Sequence, residues 1–233
     1  TLAFPIYVKA VDLTGGKGIQ KCLTYEEVEQ AYYNAVYVTR EPVIIIEECI
    51  QGTNHRTSVL LKNQKVVIGI VDNEQYYLNQ YLVAGACSPS DIPEHAIFQL
   101  YRDIEKIARQ LQLVDGLFHT QFILNQNQDP ILIDPCRRAP GDLYVMLTKY
   151  VTGVNYPYEI VKAETGEEIQ DSYCMEKHFV ARECIMSAKP GVIKNIHIDD
   201  IVNEHIIDQL IWGKSGDIVE DVLKYKAGIL IME

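Results

Sequence analysis

The chain has 233 residues, 48% of them hydrophobic, which is enough to bury a substantial core as one large or two smaller domains. The formal net charge is −11 and no basic run stands out, so we expect no nucleic-acid partner. No apolar run approaches the roughly 20 residues of a membrane-spanning helix, so we expect no membrane partner either.

The six cysteines are widely scattered and include no CxxC pair. Free thiols in a reducing cytoplasm are the simplest interpretation, and a cytoplasmic location is therefore expected. No secretory signal opens the chain. The chain starts at Thr1 directly before a predicted strand, and we interpret it as a piece cut from a longer protein.

The first 50 residues predict short strands around a glycine-rich loop, followed by a helix and a third strand. Thr24 and Glu27 have the spacing of a capping box, which predicts a helix that runs to about Val38. Val43–Ile46 is a continuous apolar run, typical of a buried strand. The two strands before the helix are predicted at Phe4–Val8 and Ile19–Cys22.

The next segment predicts a hairpin and a long amphipathic helix. The hairpin strands are Thr57–Leu61 and Val66–Val71, and residues 72–90 are predicted to be irregular because they are rich in Tyr and Asn. Pro93 suits the first position of the helix. Its apolar stripe consists of Ile97, Leu100, Tyr101, Ile104, Ile107, Ala108 and Leu111.

Phe118–Leu124 and Ile131–Pro135 read as two strands joined by a loop of turn-forming residues. If Leu124 pairs with Ile131, Gln121 lies opposite Asp134, and His119 lies opposite Cys136. All four side chains then share one face of the hairpin, and directly opposite Cβ atoms are roughly 4.5–5.5 Å apart. A polar row in an apolar hairpin costs free energy unless something satisfies it, so this row is a candidate site.

Beyond the hairpin, Leu143, Met146, Leu147 and Tyr150 predict a helix, and a short helix at Glu159–Glu164 ends at Gly166. The pattern then changes to strands, with the longest predicted at Phe179–Ile185, His205–Ile211 and Gly228–Ile231. We place a domain boundary near residue 170, which gives domains of residues 1–170 and 171–233.

Lys9 and the glycine loop form a candidate anion site, because glycines let backbone N–H groups approach an anion and lysine supplies charge. The alternative is a glycine-rich turn beside a surface lysine. The segment Glu47-Glu48-Cys49-Ile50 leaves a strand with backbone groups that could bind a purine edge, or it simply ends the strand.

Gln121, Asp134 and Cys136 could ligate Mg²⁺, a hard cation that prefers oxygen, or they could form a solvated polar face. Arg138 suits an anion clamp, because its planar guanidinium matches a carboxylate or phosphate. Arg137 has the opposite parity and is interpreted as structural.

Three segments resemble, in order and spacing, the signature blocks of the ATP-grasp superfamily. They are PIYVKAVDLTGGKGI, IIIEECIQGTNHR and ILIDPCRRAPGD. The resemblance covers about Phe4 to Gly166. The later segments SAKPGVI and GDIV…KAGILI are similar to the small C-terminal domain of L-amino-acid ligase-like carboxylate–amine ligases.

The resemblance implies an α+β ATP-grasp fold, truncated at its N-terminus, with residues 171–233 as a small, mostly β module. It also implies ATP and Mg²⁺ as cofactors. The implied ATP-binding residues are Lys9, Gly15, Gly16, Gly18, Glu47, Glu48, Ile50 and Asn54. The implied metal residues are Gln121 and Asp134, and Arg138 is the implied catalytic residue.

The implied function is an ATP-dependent carboxylate–amine ligase that acts through an acyl phosphate on small-molecule substrates, with a homodimer as the expected assembly. A non-catalytic nucleotide-binding or scaffold module is the alternative, because the family usually has Glu where Gln121 stands and often Asn where Cys136 stands. Within the enzyme class, a carbamoyl-phosphate-synthase-like or purine-biosynthetic ligase is the other candidate.

Overall fold

The structure is a computed structural model that describes residues 2–13, 15–41, 43–176 and 178–233. The chain divides into two compact units. Unit 1 comprises Thr1–Gln51 with Asn79–Leu82, and unit 2 comprises Gly52–Leu78 with Val83–Glu233. This division does not test the predicted boundary near residue 170, which stays a prediction.

Unit 1 is a three-stranded antiparallel sheet with one helix packed on it. Its apolar core combines strand residues such as Ile6 and Val8 with Ala31 and Ala35 of the helix. The sheet order is β2-β1-β3. The elements are β1 (Ile6–Ala10), β2 (Ile19–Cys22), α1 (Tyr25–Val38) and β3 (Ile44–Glu48).

The predicted capping box begins α1 as expected. The side chain of Thr24 accepts a hydrogen bond from the Glu27 N–H at 3.4 Å. The Glu27 carboxylate in turn accepts one from the Leu23 N–H at 2.7 Å, one residue before the cap. One N–H group that the first turn leaves unpaired, that of Glu27, is thereby satisfied, and the Glu27 carboxylate pairs with the Leu23 N–H instead of with the N–H of the cap residue.

The prediction that Val43–Ile46 is a buried strand is wrong for its side chains. β3 lies at the edge of the sheet, and Ile45 and Ile46 are 45% and 44% exposed. An edge strand has a neighbour on one side only, so an apolar run is not sufficient to indicate burial there.

Unit 2 contains an eight-stranded sheet in the order β11-β13-β9-β6-β5-β4-β7-β8, with a separate β10-β12 pair. Its helices are α2 (Glu94–Gln110), α3 (Tyr144–Thr152), α4 (Tyr156–Thr165) and α5 (Asp200–Asn203). Its strands are β4 (Gly52–Lys62), β5 (Lys65–Tyr76), β6 (Val83–Ser88), β7 (Gly116–Asn125), β8 (Pro130–Cys136), β9 (Val180–Ile185), β10 (Gly191–Val192), β11 (Ile206–Ile211), β12 (Ile218–Val219) and β13 (Gly228–Met232).

Helices cover both faces of this sheet. On one face, α2 packs its buried residues against Val59 and Leu61 of β4 and Phe118 of β7. On the other face, α3 and α4 pack against residues of alternate parity, among them Leu60 and Ile70. This alternation follows from the two-residue period of a strand. The mixture of helices with a large antiparallel sheet confirms the predicted α+β class.

Three predictions about residues 72–111 need correction. Residues 72–90 are not irregular throughout, because β5 continues to Tyr76 and pairs with β6, whose ladder hydrogen bonds outweigh the weak strand preference of Asn and Glu. Pro93 is the residue before α2 rather than its first residue. Leu111 follows the last turn of α2 and is 67% exposed, so it does not belong to the buried stripe.

In the central hairpin, the residue pairs predicted to lie opposite each other do so, but the pairing next to the turn differs from the prediction. Leu124 pairs with Pro130, not with Ile131. A bulge between Gln121 and Phe122 then absorbs one extra residue of β8, and Gln121 lies opposite Asp134 as predicted. His119 likewise pairs with Cys136. The polar row therefore shares one face, the face that carries α3.

The later elements agree with prediction apart from their ends. α3 begins at Tyr144, and Leu143 precedes it in the left-handed conformation. α4 is longer than predicted and ends at Gly166, also left-handed. β9, β11 and β13 match the three predicted strands within two residues and join the large sheet. Among the described residues, no helix is long and apolar enough to cross a membrane.

Candidate functional site

In unit 1, two of the predicted nucleotide-binding residues contact each other. Lys9 lies on β1 and forms an ion pair with Glu47 of β3, and the two side chains are 20% and 35% exposed. The register explains the pair, because Lys9 lies opposite Ile45 and Tyr7 lies opposite Glu47, which places the two charges diagonally across the ladder. The Lys9 ammonium is thus held in place and partly neutralised.

The glycine loop has the conformation that only glycine adopts readily. Gly15, Gly16 and Gly18 have φ angles of +66°, +81° and +68°. A Cβ atom at Gly16 would lie 2.6 Å from the ring of Tyr81, whereas one at Gly15 would meet no atom within 4 Å. Tyr81, which contacts the loop from the Asn79–Leu82 segment, was not predicted from the sequence.

The segment after β3 was predicted to bind an adenine edge through its backbone. Glu48 is exposed and Ile50 is half-buried. The Cys49 N–H is already used, since it donates to the Pro5 carbonyl at 3.0 Å. Because β3 is an edge strand, its outer side has no partner strand within this sheet. Among the described residues, the outer backbone edge of β3 is therefore not paired with another strand.

In unit 2, the side-chain amide of Gln121 is engaged by a carboxylate that was not predicted. Its Nε2 donates to Glu74 Oε1 on β5 at 2.7 Å. Gln121 therefore has one amide oxygen left for a cation. Asp134, opposite it, is exposed, and no ion pair engages it in the described part of the chain.

Glu74 belongs to a buried charge network that sequence reasoning missed. Arg56 Nε lies 3.1 Å from Asp72 Oδ2 and 3.7 Å from Glu74 Oε1, and these side chains are 7%, 0% and 1% exposed. The Arg56 guanidinium also stacks over the Tyr144 ring at 4.2 Å. Tyr76 donates its hydroxyl to the other oxygen of Glu74.

A signal for this network was present in the sequence. Asp72, Glu74 and Tyr76 alternate at the two-residue period of a strand, so they point to one face once β5 is extended past Val71.

Burial dominates the acid–base behaviour of the network. Burial opposes the charged form of Arg56, but the Asp72 and Glu74 carboxylates outweigh that effect and raise the pKa of the guanidinium. Burial also raises the pKa of both carboxyl groups, although Arg56 acts in the opposite direction on each. Arg56 is therefore a permanent cation.

His119 lies in the same polar row and is a neutral side chain. Burial, followed by repulsion from Arg56 and Arg138, lowers the pKa of His119 to about 3. Its ring meets Tyr144 edge-on at 5.2 Å, and its Nδ1 is buried without a hydrogen-bond partner among the described residues. A neutral imidazole beside Cys136 adds no charge to the row.

The two arginines after β8 have different environments. Arg137 donates through Nη2 to the carbonyls of Val114 and Asp115 at 2.9 and 3.1 Å, which is a structural arrangement. Arg138 is exposed, and its Nη1 donates to the carbonyl of the adjacent Ala139 at 3.3 Å. Arg138 is thus available to an anionic ligand.

Asn54 lines a polar cavity at one end of the unit 2 sheet. The cavity has a volume of about 460 Å³. Its polar lining comes from Thr53, Asn54, His55, Asn73, Glu74 and Asp91, among others. His55 is fixed there, because it bonds Thr53 Oγ1 at 2.6 Å and the Asp72 carbonyl at 3.3 Å.

The described residues contain no group of three or more His, Cys, Asp or Glu side chains that could hold a metal ion by themselves. Gln121 and Asp134 offer one amide oxygen and one carboxylate. That set fits a Mg²⁺ ion held mainly by the phosphates of a substrate, since Mg²⁺ in such sites commonly has only one or two protein carboxylates.

Comparison with known proteins gives the chain a family. The model of the carbamoyl-phosphate synthase L chain, ATP-binding domain, matches residues 1–172. D-alanine–D-alanine ligase from Bacillus cytotoxicus is 29% identical over 169 residues, which are 67% of this chain and 45% of that protein. The ligase from Bacillus licheniformis is 28% identical over 171 residues, 69% of this chain and 46% of its own length. The chain spans about half the length of the curated relatives it matches.

Solved structures share the fold at low sequence identity. L-amino acid ligase from Bacillus licheniformis aligns with 100% of this chain and 58% of its own, at a TM-score of 0.80 and 16% identity. Phosphoribosylglycinamide synthetase from Anaerococcus prevotii aligns with 99% of this chain and 59% of its own, at a TM-score of 0.72 and 19% identity. The predicted ATP-grasp fold is confirmed, and the chain belongs to the ATP-binding domain family of the carbamoyl-phosphate synthase L chain, within the ATP-grasp superfamily.

Proposed function

We propose that the chain is part of an ATP-dependent carboxylate–amine ligase. The observation that carries the proposal is the extent of the family match, because residues 1–172 include every residue predicted for the nucleotide, the metal and catalysis. The curated relatives that match this chain are named D-alanine–D-alanine ligases, which join a carboxylate and an amine by name.

The proposed reaction is transfer of the ATP γ-phosphate to a carboxylate, followed by attack of an amine on the resulting acyl phosphate with loss of phosphate. Such chemistry needs positioning and charge neutralisation rather than a side-chain nucleophile. The candidate residues suit that requirement, since they are cations, an exposed carboxylate and backbone groups.

For unit 1, we propose that ATP is bound by Lys9 and by the loop glycines Gly15, Gly16 and Gly18. The ion pair with Glu47 supports this role, because it holds the Lys9 ammonium in one place before a phosphate arrives. Glu48 and Ile50, with Glu47, would bind the adenine through backbone groups beside the open edge of β3.

For unit 2, we propose that Mg²⁺ is held by Asp134 and by the free oxygen of Gln121, and that Asn54 binds the ribose. The cation would neutralise phosphate charge and align the transferred group. Arg138 would bind the acyl phosphate or the substrate carboxylate, since its guanidinium is exposed and carries no ion pair in the described part of the chain.

A second candidate function is nucleotide binding without turnover, and one contact favours it. Gln121 is committed to Glu74 through its amide nitrogen, so the metal site has a single carboxylate. The solved structures that share the fold are 16–19% identical to this chain and indicate the fold alone. They do not distinguish an amino-acid ligase from a carbamoyl-phosphate-synthase-like or purine-biosynthetic ligase.

Small-molecule carboxylate and amine substrates, a homodimer and a cytoplasmic location complete the proposal. The dimer has one supporting precedent, because the biotin carboxylase domain of Hydrogenobacter thermophilus 2-oxoglutarate carboxylase was crystallised as a dimer. That domain aligns with this chain at a TM-score of 0.77 and 18% identity.

Phosphate release by the complete polypeptide that contains this chain tests the proposal. With ATP and Mg²⁺, release that requires an added amino acid is expected. Arg138→Met should lower kcat by about 10²–10³-fold, the effect of removing one donor to a developing charge. Arg102→Met, on the exposed side of α2, is the matched control and should leave kcat unchanged.

Release that no carboxylate–amine pair stimulates, together with nucleotide-dependent thermal stabilisation, would favour the binding module. Absence of both turnover and stabilisation would overturn both candidate functions.

A further inference from the structure

The loop that carries Arg138 ends in an unusual backbone conformation. Asp142 and Leu143 have φ angles of +59° and +55°, so two consecutive residues with side chains are left-handed. This region disfavours L-residues, and leucine has no polar group to compensate. The preceding Gly141 is not left-handed, so glycine does not relieve the turn. Other contacts must hold this backbone.

At Asp142, the charged contacts come from residues far along the chain. Lys226 donates to Asp142 Oδ2 and also to the Val83 carbonyl at 3.2 Å. Arg182 of β9 lies 3.9 Å from the same carboxylate oxygen. Lys226 is 11% exposed, Arg182 is fully buried and their shared partner Asp142 is 32% exposed, so the two cations are shielded from water while the carboxylate is partly solvated.

Arg182 has spare donor capacity at this position. Its Nε and Nη2 are buried without hydrogen-bond partners among the described residues. Its Nη1 lies 3.2 Å from Cys184 Sγ, a weak acceptor. A buried arginine with unpaired donors is stabilised by nearby carboxylates. Asp142 is one of them, and the Arg182 charge also acts on Asp72 and Glu183.

We propose that Asp142, Lys226 and Arg182 form a clasp that positions the Arg138 loop for the ligase reaction. Arg138 lies four residues before Asp142, and the side chains between them are small or cyclic, so fixing Asp142 limits where the guanidinium can reach. Because of this clasp, Arg182 and Lys226, which lie beyond the family match, are necessary for a site within residues 1–172. The three are positioning residues, since none is assigned a contact with the substrate.

Limited trypsin digestion of the complete polypeptide tests the clasp without relying on activity. Arg137 and Arg138 are trypsin sites inside the loop, and cleavage after Lys106 of α2 reports unfolding of the same unit. Lys226→Met should raise the ratio of loop cleavage to Lys106 cleavage several-fold. Lys224→Met is the matched control, because the Lys224 side chain is 61% exposed and forms its ion pair with Asp221 rather than with Asp142.

Asp142→Asn is the second variant, because asparagine tolerates the left-handed conformation as well as aspartate and removes only the charge. It should raise the cleavage ratio at least as much as Lys226→Met, and Lys226→Arg should restore the wild-type ratio. Ratios equal to that of the wild type in both loss variants would overturn the clasp, even if their overall stability falls.

A second measurement, of the ligase kinetics of Lys226→Met, rests on the proposed function. Lys226→Met should lower kcat at least tenfold with KM for ATP unchanged, since the nucleotide residues are not touched. An unchanged kcat would contradict the positioning role. If the polypeptide has no ligase activity, the proposed function fails while the cleavage ratio still decides whether the clasp exists.

Discussion

Gln121 donates its side-chain amide to Glu74 Oε1 at 2.7 Å, across two neighbouring strand pairs of the sheet. Where the family resemblance would place a carboxylate, this chain has an amide, and the missing charge stands on β5 instead. A glutamate at residue 121 would put a second carboxylate against the first. The amide at Gln121 and the carboxylate at Glu74 therefore depend on each other, because the amide can donate to the carboxylate and a second carboxylate could not.

Gln121→Glu should lower the free energy of unfolding by about 1–3 kcal/mol without Mg²⁺, because the hydrogen bond is lost and like charges meet. Millimolar Mg²⁺ should restore part of that loss, since two adjacent carboxylates create a cation site. Urea unfolding with and without Mg²⁺ measures both effects. The exchange variant Glu74→Gln with Gln121→Glu is the control, because it rebuilds one amide–carboxylate pair and should be close to the wild type.

The predicted register of the central hairpin shows what the sequence can specify. The turn residues and the alternation of the two strands predict Gln121 opposite Asp134, but through a pairing of Leu124 with Ile131 that the structure does not have. The bulge that brings Gln121 opposite Asp134 could not be predicted. The run Ile131-Leu132-Ile133 is apolar throughout, so its pattern fits a pairing of Leu124 with either Pro130 or Ile131. Two errors of one residue cancelled.

The parts that sequence reasoning missed are long-range. Asp72 and Glu74 were assigned to an irregular segment because polar residues weaken a strand pattern, and only pairing with β6 makes them part of the sheet. Tyr81 contacts Gly16, 65 positions earlier, which no local pattern encodes. Short-range features such as the Thr24 cap were predicted correctly, because their partners lie within a few residues.

Breaking the buried Arg56–Asp72 ion pair should lower the free energy of unfolding more than breaking the exposed Arg40–Asp12 pair. Arg56→Met removes the cation that pairs with both Asp72 and Glu74 in this buried network, so a loss of about 3–5 kcal/mol is expected. Arg40→Met is the comparison, since the Arg40 side chain is 81% exposed and its pair with Asp12 should contribute about 1 kcal/mol or less. Denaturant unfolding of both variants gives the difference. Equal losses would mean that the network adds no more than a surface pair.

The glycine loop offers a matched pair of substitutions. Gly15→Ala meets open space and should cost only the left-handed backbone penalty, about 1–2 kcal/mol. Gly16→Ala meets the same penalty and also places its Cβ 2.6 Å from Tyr81, so it should cost at least about 1 kcal/mol more. Thermal unfolding at one protein concentration compares the two. A Gly16 variant as stable as the Gly15 variant would show that Tyr81 does not rest on the loop.

His119 should make the protein sensitive to acid in a defined window. Burial and the neighbouring arginines lower its pKa to about 3 in the folded state, while the unfolded side chain has a pKa of about 6.5. Between these values only the unfolded chain binds the proton. This group's contribution to stability is thus complete above pH 6.5 and is lost as the pH falls, by about 1.4 kcal/mol per pH unit.

His119→Leu removes the titrating ring together with a buried nitrogen that has no partner in the described part of the chain. It should be close to the wild type in stability at pH 8, because no hydrogen bond of that nitrogen is lost. Between pH 6 and pH 4 it should lose less stability than the wild type, by about 1.4 kcal/mol per pH unit. His197→Gln, at a side chain that is 75% exposed, should follow the wild-type curve. Parallel curves for the wild type and His119→Leu would mean that the folded protein accepts a proton at His119, and its assignment as a neutral residue would be wrong.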